Sequence, residues 1–171
     1  MKKVYQRIID PMKGDCFKCC ICSILELDYD DVPNFVESEH WFLDAHNFCL
    51  QHGYELYTDT LWNPNVCYLE NPTHFCFHTN EQDDRFSLTS ITPEKGVGGY
   101  FMATVYSPKY TNSREHPMSH LHAVICDIDF NIVHDPNPEY QGIIQYPYAK
   151  IIGYNGIRTI DTMIKIEKPD E

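Results

Sequence analysis

Basic residues are scarce in this chain: 13 Lys and Arg stand against 25 Asp and Glu, for a formal net charge of −12. No run of five or more basic residues occurs anywhere. Phosphate backbones and anionic lipid surfaces both demand a local surplus of Lys and Arg, so neither a nucleic-acid partner nor a membrane partner is expected. Long apolar runs are missing as well. No segment approaches the roughly eighteen apolar residues that a membrane-crossing helix needs. The opening stretch MKKVYQRIIDPMKGD has no long apolar core and no small-residue cleavage site, and does not read as a signal peptide. Internal repeats and low-complexity tracts are absent too. These absences together predict a cytoplasmic protein whose thiols stay reduced.

What is present fits a folded globule. The 171 residues suit a single domain, residues 1–171, and 43% hydrophobic with 13% aromatic content supplies a core without covalent staples. Eight cysteines are a moderate density, below that of small disulfide scaffolds. In a reducing compartment such thiols are buried, metal-bound or catalytic.

The first element is predicted by GDCFKCCICSILELD, in which Phe17, Cys20, Ile21, Ile24 and Leu25 recur at helical spacing. Asp15 stands at the N-cap position and leaves Cys16 in the first turn, while Pro33 in DDVPNF is expected to break the helix. A second helix is expected from about residue 38 to 52, with Trp41, Ala45, Phe48, Cys49 and His52 on one face and Gly53 as its stop. YELYT then reads as a strand. Residues 71–99 are polar, punctuated by Pro and Gly, and read as an insertion or lid with one short strand near residues 73–78. YFMATVYS, HAVICDI and NIVHD have strand-like lengths and patterns, with DIDFN as a hairpin turn, and IIQYP and IIGY follow. Residues 107–119 read as a loop between strands, which together with 71–99 could fold over a site. Helices first and an antiparallel sheet second predict an α+β fold.

Cysteine nucleophiles need a stabilised thiolate, a histidine to exchange protons with it, and a group that orients the imidazole. The free N–H groups and partial positive charge of a helix N-terminus favour thiolates, and Cys16 holds that position. Cys19, Cys20 and Cys22 lie deeper, where burial favours the neutral thiol. His122 begins one predicted strand and Asp135 ends the returning one. Antiparallel pairing brings those two ends together. His120 and His134 compete with His122 for the role of base, and Asn137 with Asp135 for that of orienting group.

GDCFKCCICSILELDYDDVPNF, GYFMATVYSP and HAVICDIDFNIVHDPNP resemble a family of small papain-like thiol proteins of phages and bacteria. More distantly the arrangement is similar to the peptidase domains that process double-glycine leaders. The resemblance covers most of the chain outside residues 71–99. It implies a papain-like fold, N-terminal helices followed by a twisted antiparallel sheet, and host cytoplasm if the chain is phage-encoded. It implies Cys16 as nucleophile, His122 as base, Asp135 as orienting residue, and Gln6, the one glutamine upstream of Cys16, as oxyanion donor. The implied reaction is hydrolysis of an amide (peptide, isopeptide or side-chain amide) through a thioester. It needs no cofactor, acts on a polypeptide or peptide-like substrate, and has two pH limits near neutrality.

Rival readings remain at this level. Trp41 and Trp62 pack in the core or line a substrate groove. His74, Cys76 and His78 alternate, so a strand would project all three to one face as a possible metal site. The chain could also be a catalytically silent papain-like fold that binds a partner protein, as a phage inhibitor of host defence would, or a small zinc-binding domain.

Overall fold

A computed structural model of the chain describes residues 1–10, 13–60, 95–106, 121–129, 131–140 and 157–169. Helix α1 runs over Cys16–Leu25 and α2 over Trp41–Gln51. The strands are β1 (Tyr54–Thr60), β2 (Phe101–Tyr106), β3 (Leu121–Cys126), β4 (Ile132–His134) and β5 (Ile157–Lys165). They form one antiparallel sheet in the order β1-β5-β2-β3-β4, with α1 packed against β3 and α2 against β1. The architecture is α+β, as the order of elements predicts. The short strand expected near residues 73–78, IIQYP, IIGY, the 107–119 loop and nearly all of the 71–99 insertion lie outside the described residues.

Helix α1 is the centre of the fold. Every residue from Phe17 to Ile24 is buried, so the helix is enclosed on all sides and not on one face. Its small side chains make this possible: Cys19, Cys20, Cys22 and Ser23 let neighbouring backbone approach closely. Ser23 bridges, its Oγ donating to the Cys19 carbonyl at 2.8 Å and accepting from Val4 N–H at 2.9 Å. Burial of Ile21 alone contributes about 2 kcal/mol. The helix ends earlier than Pro33 would require. Glu26 takes a left-handed conformation at φ 56°, and Leu27 N–H closes back onto the Cys22 carbonyl at 2.9 Å.

Helix α2 keeps the predicted inner face at Ala45 and Cys49, both fully buried. Trp41 does not join the core. It is 40% exposed, with its ring edge-on to Phe17 and Phe42 at centroid distances of 5.3 and 5.6 Å. Trp62 lies outside the described residues. Gly53 follows α2 at φ +85°, which suits its expected role as the stop.

Strand β5 was not anticipated from the pattern of IRTIDTMIK, yet it lies inside the sheet between β1 and β2. Its interior position buries polar residues along with apolar ones: Asp161 and Thr162 are as enclosed as Ile160 and Met163. Asp161 Oδ1 accepts from Thr58 Oγ1 on β1 at 2.6 Å. An apolar alternation is therefore not what this strand displays.

Candidate active site

The N-terminal segment is an extended strap tied on both sides. Lys2 N–H donates to the Ser23 carbonyl at 3.2 Å on α1, and Gln6 N–H donates to the Pro136 carbonyl at 2.8 Å beyond β4. His134 supplies a third tie, its Nε2 donating to the Val4 carbonyl at 2.8 Å. Burial holds the His134 pKa below its ordinary value, so the ring is a neutral, structural donor. It is turned away from Cys16, as its place next to Asp135 in the chain predicts. His120 lies outside the described residues.

The strap then turns sharply into α1. Gly14 N–H donates to the Asp10 carbonyl at 2.9 Å, and a Cβ at Gly14 would stand 2.6 Å from that oxygen and 3.3 Å from Gln6 Nε2. Only glycine fits here. The turn delivers Gln6 to the neighbourhood of the α1 N-terminus. Gln6 Nε2 donates to the Ile8 carbonyl at 3.1 Å, and its buried Oε1 meets no donor among the described residues.

Asp15 occupies the N-cap position but does not cap with its side chain. The carboxylate, fully buried, turns back to the strap instead. It accepts from Arg7 N–H and Ile8 N–H, each at 3.2 Å, and from the Tyr29 hydroxyl. Tyr29 is held protonated by burial and by that bond. The Arg7 guanidinium carbon and Lys18 Nζ lie 3.8 and 3.6 Å from the centroid of the Tyr29 ring, where the negative face of an aromatic attracts cations.

At the mouth of α1 three side chains from three elements converge. Register pairs Ile125 with His134 at the end of β3, so the chain that follows β4 runs back toward the start of β3. His122 Nε2 meets Asp135 Oδ1 at 2.6 Å, and both residues are buried. The same carboxylate oxygen accepts from Asn137 N–H at 2.9 Å. Cys16 lies close enough to His122 to raise its pKa. Ala123 N–H points at Cys16 Sγ from 3.4 Å, adding a backbone donor to the thiol.

Electrostatics separate the partners from their surroundings. Burial opposes the charged ring of His122, but hydrogen bonds to Asp135 and Cys16 outweigh it and raise the His122 pKa to about 10. The other described thiols are pushed the opposite way from reactivity. Burial raises Cys22 to about 11 and Cys49 to about 12, and lifts Cys19, Cys20 and Cys126 further. Cys16 is half-buried, the most accessible of the six described free cysteines. The geometry therefore sets a half-buried thiol beside a buried histidine that favours its charged form.

The sequence brought Cys16, His122 and Asp135 forward, and the structure places them together. It did not bring forward Ala123, whose contribution is a main-chain N–H that no residue type reveals. Nor did it reveal the Asp15–Tyr29 brace, which joins a turn to a segment fourteen residues away. Among the described residues no group of three or more His, Cys, Asp or Glu side chains is arranged to hold a metal ion. His74, Cys76 and His78 lie outside the described residues. No described helix is long and apolar enough to cross a membrane.

No protein-family model matches the chain, and no solved structure matches it. A curated relative, the chromodomain-helicase-DNA-binding protein 8 of Danio rerio, is 30% identical over 95 residues, which is 53% of this chain. The chain spans only 4% of that relative's length. An overlap of this size assigns no family.

Proposed function

We propose that the protein is a papain-like thiol hydrolase that cleaves an amide through a thioester on Cys16. The observation that carries this reading is the line of contacts Cys16–His122–Asp135, with Nε2 and Oδ1 at 2.6 Å and the Ala123 N–H on the sulfur at 3.4 Å. Chain order supports it as well: a helix bearing the thiol comes first, and a hairpin bearing the histidine and carboxylate follows.

Each group has one task. The Cys16 sulfur attacks the carbonyl carbon while His122 holds the displaced proton. The tetrahedral oxyanion takes the Cys16 backbone N–H, which no helical carbonyl claims in the first turn, and the Gln6 amide. His122 then protonates the departing nitrogen, and the C–N bond breaks to leave a thioester. Water, deprotonated by His122, attacks that thioester and restores the thiol. Asp135 fixes the ring's tautomer and stabilises its charge; such proton transfer contributes about 10²- to 10⁴-fold. The substrate class is a peptide, isopeptide or side-chain amide. The net charge of −12 favours a neutral or basic polypeptide.

Reaction with iodoacetamide at about pH 6.5 tests the reading, because at that pH only an activated thiolate reacts quickly. Cys16 is expected to be alkylated at least about tenfold faster than the other seven cysteines, and His122→Ala to abolish that lead. Uniform slow labelling of all eight thiols would sink the hydrolase and leave a groove that binds a partner. Zinc carried through purification, with melting on chelation, would point to a metal domain instead.

A further inference from the structure

Hydrolysis uses one thiol of α1 and leaves its neighbours idle. Cys16 and Cys19 stand three residues apart on the first turn. Helical geometry sets the Cα atoms of such a pair about 5 Å apart, inside the window of about 4.4–6.8 Å in which a disulfide closes. Their environments differ in kind. Cys16 meets solvent, whereas Cys19 has no exposed surface and lies close enough to feel a charge on Cys16. A solvent-borne oxidant therefore reaches the first sulfur and not the second. The first turn also adjusts more readily than the helix interior, since its leading N–H groups have no intrahelical partners.

Cys20 is the competing neighbour. An i, i+4 pair spans about 6 Å between Cα atoms, near the upper limit for a disulfide. Its thiol is wholly buried and feels a charge on Cys16 before those on Cys19, Asp135 and Cys126. The shorter Cα separation of an i, i+3 pair favours Cys19.

We propose that Cys16 and Cys19 form a reversible oxidation site, in which a hydroperoxide oxidises Cys16 and Cys19 closes the product as an intrahelical disulfide. The inference rests on the reading of Cys16 as the reactive sulfur. In the first step the Cys16 thiolate attacks one peroxide oxygen, the O–O bond breaks, and water or an alcohol leaves. The sulfur gives up two electrons to the peroxide and becomes a sulfenic acid. In the second, the Cys19 sulfur attacks that sulfur, its proton passes to the departing hydroxyl, and water leaves as the S–S bond forms. A dithiol reductant returns both thiols. The disulfide removes the nucleophile and spares it from sulfinic acid, which thiols do not reverse.

The reduced full chain is treated with a small excess of hydrogen peroxide and read by intact mass, thiol count and tryptic mapping. Trypsin cuts after Lys18, between the two cysteines, so a disulfide keeps the Gly14-Asp15-Cys16-Phe17-Lys18 peptide joined to the one that begins at Cys19. The wild type is expected to lose two hydrogens and two thiols, all restored by dithiothreitol. In Cys19→Ser and in Cys19→Ala, Cys16 should instead give a dimedone-trappable sulfenic acid that proceeds to a product dithiothreitol cannot reduce. Cys20→Ser should behave as the wild type. A dimedone adduct in the wild type without a disulfide, or a link that survives Cys19→Ala and disappears in Cys20→Ser, overturns the pair. Iodoacetamide labelling of the reduced protein separates the two readings. Selective Cys16 labelling without a disulfide overturns this inference alone, and loss of selectivity overturns the hydrolase reading with it.

Discussion

At Asp15 a carboxylate with no exposed surface takes two backbone N–H groups and a phenol from parts of the chain that would otherwise have no reason to meet. Removing it takes the acceptor from all three donors at a part-buried place. Asp15→Ala should cost about 3 kcal/mol and Tyr29→Phe about 1 kcal/mol, measured by urea unfolding. Equal, small losses in the two variants would show that the brace does not hold the strap. Residue type and position pointed to Asp15 as the cap of α1, and the position was right. The partner was not, because a capping aspartate and one that reaches back to residues 7 and 8 look alike in sequence. Gln6 shows the same limit from the other side. Its neighbourhood depends on the tight turn at Gly14, and a glycine two residues before a helix does not say which upstream side chain its turn brings close.

The β3–β4 hairpin carries the site's pH behaviour. His122 has a folded pKa raised to about 10 from an ordinary value of 6.5 by Asp135 and Cys16, against burial. Its contribution to stability is therefore complete below about pH 6.5 and disappears as the pH climbs toward 10. The buried cysteines also reduce stability in alkali, but only once unfolded thiols ionise at about pH 8.5. Unfolding free energy should accordingly fall from pH 6.5 upward in the wild type and stay level to about pH 8 in His122→Gln. A flat wild-type profile between pH 6.5 and 8 would contradict a charged His122. The alkaline limit of thiol reactivity moves with it, away from neutrality. This hairpin was legible because a short turn at residues 127–131 folds the chain after β4 back along β3, toward the neighbourhood of residue 122. Strand β5 was illegible for a matching reason. A strand enclosed on both sides, with Asp161 paired to Thr58, has no polar face to alternate with an apolar one.

Taken whole, the molecule carries an excess of negative charge that the ion pairs among the described residues do little to offset. Lys2–Asp28 and Arg7–Asp30 are exposed, and pairs of that kind contribute little. Raising NaCl from about 0.01 to 0.15 M shortens the screening length from about 30 to 8 Å. The melting temperature should then rise by a few degrees as self-repulsion fades, about 1 kcal/mol of stability. A fall on adding salt would mean that attraction between charges prevails over repulsion.

The interior place of β5 reaches beyond the finished fold. Tyr54 pairs with Lys165 and Thr60 with Thr159, so β1 is synthesised well before the strand it pairs with. At about 5–20 residues per second that delay lasts roughly 5–20 s, during which β1 has no described strand beside it and α2 rests on an unfinished floor. Translation thus delivers the thiol of residue 16 long before the sheet beneath it can close. The meeting of Cys16 with His122 waits on the synthesis of β3, about a hundred residues later.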